Sequence, residues 1–220
     1  MTSLKWGGPS GLPPGFRPAC RGEEIIAFSP RNALSCYGSV ALLAFAFFFA
    51  ACAQPSHLDT FGSLRPFQLT SQTGAPFDSK SLEGHVWVAD FFFTSCPGPC
   101  PLMNHKLSEI QKQTADIPDV KLVSFTVDPS NDTPIVLAAY AKRFNADSSR
   151  WFFLTGPQTA LNDLGLNQFK LNSVDGSTTH STRFALVDQR MQIRGYYLTD
   201  DDSFMPKLIR DIRALEGGRT

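Results

Sequence analysis

Apolar and polar positions change period several times between Phe67 and Leu215, and each change marks an element. Val86-Trp87-Val88-Ala89-Asp90-Phe91-Phe92-Phe93 is an apolar run of the kind shown by a strand covered on both faces. Leu102, Met103, Leu107 and Ile110 follow at helical spacing and predict a helix over Pro101 to Ala115, after which Val120 to Val127 returns as a strand. Upstream, Phe67 to Leu69 and the Gly74-Ala75-Pro76 turn predict a hairpin. Downstream, Asp132 or Thr133 can cap a helix whose first turn suits Pro134 and which runs to about Phe144. Trp151 to Leu154 reads as a strand and Pro157 to Leu164 as a short helix. Arg183 to Val187 and Ile193 to Tyr197 read as a hairpin turning at Asp188-Gln189-Arg190, and Ser203 to Leu215 as a closing helix. An early βαβ crossover and a late antiparallel hairpin predict an α/β domain with a mixed central sheet flanked by helices.

The N-terminal part differs in composition. Residues 1–32 are rich in Gly and Pro, carry Lys5, Arg17, Arg21 and Arg31, and show no apolar period, which predicts a disordered leader. Residues 33–52 hold an uncharged run from Ala33 to Ala51, near the lower limit of length for a membrane-spanning helix. The run ends in Phe49-Ala50-Ala51-Cys52, so it reads either as a transmembrane anchor or as a lipoprotein signal in which Cys52 is acylated; Phe49 and the long leader fit the second pattern poorly. Basic residues before the run place Met1 in the cytoplasm and everything after Cys52 on the extracytoplasmic, periplasmic side of the cytoplasmic membrane. Residues 53–66, with Pro55 and Pro66, read as a linker to a domain over 67–216. Lys plus Arg and Asp plus Glu are both 20, and a net charge of +0 gives no reason to expect nucleic acid or an anionic lipid surface as partner.

Chemistry concentrates at Thr94-Ser95-Cys96-Pro97-Gly98-Pro99-Cys100-Pro101, where two thiols stand between a core strand and a helix. Helix N-terminal N–H groups and the helix dipole favour thiolates there, which predicts two reactive sulfurs and a redox-active pair. A structural disulfide is the competing reading, but a loop this short gains little by closure. The second constellation is Thr178-Thr179-His180-Ser181-Thr182-Arg183. In a thioredoxin-like sheet the loop before this late strand faces the cysteines and carries a cis proline in thioredoxins; this segment has no proline and offers an imidazole instead. Cys96, Cys100 and His180 form a soft donor set suited to copper, with zinc as competitor. His57, His85 and His105 fall in the linker, at the start of the core strand and on the outer face of the first helix. Of the 5 cysteines, Cys20 and Cys36 precede the exported domain and Cys52 is the acylation candidate.

The chain resembles the Sco/SenC proteins, copper-binding assembly factors of cytochrome c oxidase with a thioredoxin-like fold. The likeness covers nearly all of Phe67 to Leu215. It rests on Phe93 to Pro101, on Val127-Asp128-Pro129 with Asp132-Thr133-Pro134, on Trp151-Phe152-Phe153-Leu154-Thr155-Gly156, and on His180-Ser181-Thr182 followed by Leu186-Val187-Asp188. The resemblance implies one copper ion held by Cys96, Cys100 and His180, and a metallochaperone that passes it to oxidase subunit II, with other copper chaperones or thiol reductants as further partners. It also implies a role for Asp128 near the site, orienting the His or the cysteine loop, although Asp128 can equally cap the turn before the next helix. Two other functions use the same thiols: a thiol–disulfide reductase acting on that target or on other exported proteins, and a peroxiredoxin-like peroxidase. The missing proline and the third residue between the cysteines disfavour a general thioredoxin, and Thr94-Ser95-Cys96 lacks the proline a peroxidase places before its thiol.

Overall fold

The computed structural model describes residues 58–117, 119–171 and 181–218. The leader and the apolar run at 33–52, with His57 and His180, lie outside the described residues. Among the described residues no helix is long and apolar enough to cross a membrane.

Strands β1 (Gly62–Ser63), β2 (Gln68–Ser71), β3 (Pro76–Asp78), β4 (Trp87–Phe92), β5 (Lys121–Thr126), β6 (Trp151–Thr155), β7 (Arg183–Val187) and β8 (Gln192–Leu198) form one sheet in the order β1-β8-β7-β4-β5-β6-β2-β3. The helices are α1 (Pro99–Gln113), α2 (Pro134–Arg143), α3 (Gln158–Asn162) and α4 (Phe204–Gly217). Only the β4–β5 and β5–β6 pairings are parallel, so the sheet is mixed, as the pattern predicts. Every residue of β4 is buried, which is why its sequence shows no alternation. Successive side chains serve opposite faces. Phe91 stacks on Phe125 and meets Phe169 edge-on, while Phe92 stacks on Tyr140 of α2 and meets Phe153.

This topology sets up one functional end. Because β4 and β5 are parallel neighbours, the loops leaving them, 93–98 and 127–133, emerge at the same end of the sheet. β7 runs antiparallel to β4, with Trp87 opposite Val187 and Ala89 opposite Ala185, so the chain enters β7 from that same end.

Several boundaries differ from the sequence reading. α1 starts at Pro99, two residues before Pro101, and takes Cys100 into its first turn. Met103, Leu107 and Ile110 form its buried stripe, whereas Leu102, about 100° round the helix from Met103, is 58% exposed. Thr133 occupies the N-cap position of α2 without a side-chain cap, and Asp132 turns elsewhere. The short helix at Pro157 is α3 followed by a π-helical turn, Asp163–Gln168. Residues 58–65, read from sequence as the end of the linker, belong to the sheet edge. β1 pairs with β8, Leu64 is buried, and Arg194, held by an ion pair to Asp188 at 2.8 Å, donates to the carbonyls of Leu58 and Asp59.

Candidate metal centre

β4 delivers the chain into Thr94-Ser95-Cys96-Pro97-Gly98, and α1 begins at once, with Gly98 at its N-cap and Pro99 in its first position. Pro fits there because the missing N–H would be unpaired in any case and its φ is already helical. Cys96 and Cys100 are not joined in a disulfide. Their exposure is unequal, 8% for Cys96 and 0% for Cys100. The Cys96 amide donates to the Phe93 carbonyl at 3.3 Å, closing the turn that brings the two sulfurs together. Burial pushes the Cys100 thiol far above its ordinary value, and its hydrogen bond to Cys96 adds to the shift; a backbone hydrogen bond from Phe93 acts the other way. This corrects the expectation of two thiolates. Pro99 and Pro101 carry no N–H, so the helix start offers few donors to a buried anion, and desolvation wins. In the absence of a bound cation Cys100 is a thiol at neutral pH, and Cys96 is the less deeply buried of the two sulfurs. A coordinating metal ion reverses that balance, because a ligating thiol gives up its proton.

The loop after β5 ties the cysteine turn down. Asp132 is wholly buried and accepts from the Thr94 amide at 3.2 Å, from the Thr94 hydroxyl and from the Thr126 hydroxyl. Asp128 turns its carboxylate to the Asn131 side-chain amide at 2.8 Å, within its own turn, which is the capping role the sequence left open. The contact with the cysteine loop thus comes from Asp132, a residue the sequence suggested only as a helix cap. Its signal was present in the pairing of Asp132 with two threonines, but nothing in the spacing shows that the three converge. Asp132→Ala should lower stability by about 3 kcal/mol in urea unfolding, since it strands three donors at a partly buried site, while Asp132→Asn should retain most of it. An unchanged unfolding midpoint for the alanine variant would remove Asp132 from this role.

Beneath the cysteines lies a buried polar group. Asn104 of α1 donates to the Cys100 carbonyl at 3.0 Å and to the Tyr140 hydroxyl at 3.4 Å. Burial raises the Tyr140 phenol, with the charges of Cys100, Asp90 and Cys96 adding to it. Beside the cysteine turn, Thr94, Ser95, Ile135, Val136 and Ala139 line an open groove of about 400 Å³, and Ile135 is 83% exposed. His85 bonds the Asp119 carbonyl through Nδ1 at 3.0 Å, and His105 lies beside Glu109 on the exposed face of α1; neither approaches the cysteines as a third donor. Among the described residues no three His, Cys, Asp or Glu side chains converge as a metal site, and the proposed third donor, His180, is outside them. The two thiols by themselves fit a soft, thiophilic cation better than a hard one.

The chain is similar to three solved structures that span most of the described domain. A SCO1/SenC family lipoprotein from Bacillus anthracis is 35% identical with a TM-score of 0.65, the match covering 70% of this chain and 95% of that one. BsSco, described as a member of the Sco family of cytochrome c oxidase assembly proteins with a disulfide switch, is 30% identical with a TM-score of 0.66, covering 74% and 98%. ScoI of Arabidopsis thaliana, crystallised with copper bound, is 26% identical with a TM-score of 0.58, covering 68% and 97%. These relatives bear out the thioredoxin-like expectation for the sheet. The SCO1/SenC family model matches residues 56–215, from before β1 into the last helix, and the chain therefore belongs to the SCO1/SenC family.

Proposed function

We propose that this chain is a membrane-tethered copper metallochaperone that takes up one copper ion through Cys96, Cys100 and His180 and passes it to the copper site of cytochrome c oxidase subunit II. The observation that carries the reading is the cysteine pair: two reduced, mutually hydrogen-bonded thiols at the sheet end where β7 also begins, in a family with a copper-bound member. Copper is cargo in this reading, so the site needs donors that can be exchanged one at a time. Cys96, the less deeply buried of the two, is the sulfur a client reaches first, and the apolar wall of Ile135 and Val136 beside Thr94 and Ser95 suits a protein partner. The tether is the 33–52 run, as a spanning helix or through Cys52, on the periplasmic side of the membrane; the lipoprotein relative supports that arrangement. The domain it holds begins before Phe67 and closes with α4.

The test is competition titration of the reduced chain with Cu(I), Cu(II) and zinc, repeated with His180→Ala. One tightly held copper with at least about tenfold weaker binding in the variant is expected, the loss of a neutral imidazole donor exceeding that of an outer-shell partner. Equal affinity in the variant would remove His180 from the site.

A second reading, thiol–disulfide exchange on the client's cysteines, is favoured by the unequal burial of the two reduced thiols and by the disulfide switch of BsSco. The two activities exclude each other on one molecule at one time, because a Cys96–Cys100 disulfide removes two donors.

A further inference from the structure

The three long helices turn different surfaces outward. α1 shows His105, Glu109 and Lys112, which lie within ion-pair reach of one another, and α4 shows Lys207, Arg210 and Arg213. α2 shows no charge over its first two turns. Its exposed residues there are Ile135, Val136 and Ala139, and charge begins only at Lys142 and Arg143. Helical spacing sets Ile135, Ala139 and Arg143 in one row. This row lines the groove of about 400 Å³ beside the cysteine turn, together with Val136, Thr94 and Ser95. Because α2 follows the loop that leaves β5, its first turn is at the cysteine end of the sheet and Arg143 is at the far end, about 12 Å along the axis. A single exposed isoleucine is ordinary on a protein surface. A contiguous apolar row that runs in a groove up to the residue before Cys96 marks a binding surface.

The charges around the groove restrict what fills it. Arg143 makes no ion pair among the described residues, although it lies close enough to act on the Tyr140 phenol. No carboxylate lines the groove; Asp132, the acid nearest α2, is buried and accepts from Thr94 and Thr126 instead. A helix about 10 Å across and about 12 Å long needs roughly 900 Å³, more than twice the space present, so an extended segment is the better fit. We propose that this groove binds an extended segment of an exported partner protein, apolar where it crosses Ile135 and Val136 and acidic where it meets Arg143, and so brings the partner's cysteine to Cys96. An extended chain advances about 3.3 Å per residue, which puts the partner's carboxylate about four positions from its cysteine. The inference rests on the reading that Cys96 acts on a protein partner, and it holds equally for copper transfer and for thiol–disulfide exchange.

The test uses the full-length chain in detergent, reduced and carrying Cys20→Ser, Cys36→Ser and Cys52→Ser. The probes are ten-residue peptides with a terminal dye, serine in place of the reacting cysteine, two leucines, and one glutamate four positions from that serine on either side. Binding is read by fluorescence anisotropy, which needs neither copper nor thiol chemistry. One of the two glutamate peptides should bind. Lysine in place of its glutamate should weaken binding three- to fivefold, the size of an exposed ion pair, and serine in place of both leucines at least about tenfold. Ile135→Ser should also cost at least about tenfold, and Arg143→Glu should reverse the order of the glutamate and lysine peptides. Both side chains are exposed, so the urea midpoints should stay at the wild-type value. Ile135→Ser should leave the reaction of Cys96 with a small disulfide unchanged, since that reaction does not use the groove. If Cys96 of the wild type does not react with the small disulfide, the exchange reading fails while the order of the peptides still decides the groove. Equal affinity for all the peptides, or an unchanged affinity in Ile135→Ser, overturns the proposal. So does a dimer by light scattering that Ile135→Ser converts to monomer, because the groove is then covered by a second copy of the chain.

Discussion

Cys100→Ser should abolish tight copper binding while leaving a folded domain that still reacts once at Cys96. Cys100 is the inner of the two sulfurs, fully buried in the first turn of α1, and its carbonyl is held by Asn104. A serine hydroxyl does not ionise in that setting and is a poor donor to a soft cation, so one of the two thiolates is lost outright. Affinity should drop by more than the roughly 10–100-fold that follows loss of an outer-shell partner. The substitution is otherwise mild: an unpaired buried hydroxyl costs about 1–3 kcal/mol, measurable as a small drop in urea midpoint. Competition titration against a Cu(I) chelator gives the affinity, and mass spectrometry of the chain also carrying Cys20→Ser, Cys36→Ser and Cys52→Ser, treated with a small disulfide, gives the single adduct at Cys96. Cys96→Ser should lose copper too, but also lose the adduct, because the remaining thiol is buried and protonated. A Cys100→Ser chain that holds copper as tightly as the wild type would place the metal elsewhere and leave the pair as an exchange centre alone.

The difference between the two cysteines was not legible in the sequence, and the reason is specific. A thiol pair at a strand–helix junction predicts helix-stabilised thiolates, and the junction is where the structure has it. Whether the second thiol sits outside or inside the first turn depends on where α1 starts, and Pro99 starts it early enough to bury Cys100. Pro99 and Pro101 then subtract the N–H groups on which the thiolate argument relied. Other parts were readable because burial writes itself into pattern. β4 carries an apolar run because both its faces are covered, and β7 and β8 flank a turn whose Asp188 carboxylate accepts from the amides of Arg190 and Gln192. β1 was not readable at all: Gly62 and Ser63 pair with β8 through backbone alone, and a two-residue strand has no period. Asp132 and Asp90 illustrate the same limit from the polar side. Each sits where a local rule explains it, as a helix cap or as a lone interruption of a strand, and only the packing shows that both are turned toward the cysteine end. Strand alternation put Asp90 on one of two faces that the sequence makes equally apolar, so its neighbours Tyr140 and Cys100 could not be named in advance.

The contribution of Asp90 to the stability of this domain should fall as pH rises from about 4 to about 7, and Asp90→Asn should remove that contribution. The sign follows from which state binds the proton. Asp90 has an ordinary value of 3.8 in the unfolded chain and about 7 when folded, so between those values the folded state keeps a proton that the unfolded state has lost. Folding is then favoured by protons: the contribution is fully present below 3.8, declines through the interval and is gone above about 7. A shift of this size corresponds to about 4 kcal/mol, at 1.36 kcal/mol per unit. An asparagine brings its own cost, an unpaired amide in place of an unpaired acid, but that cost is the same at every pH. Comparing wild type with Asp90→Asn by urea unfolding at pH 5 and pH 8 cancels it. Relative to wild type the variant should gain about 2–4 kcal/mol between the two, most of the interval lying above pH 5. Cys100 does not confuse the comparison, since its raised thiol alters stability only above its ordinary value of 9.0. A constant difference between variant and wild type at the two pH values would mean that Asp90 ionises in the folded chain as it does in water, and the buried pocket would then have to hold a carboxylate beside Cys100 at neutral pH.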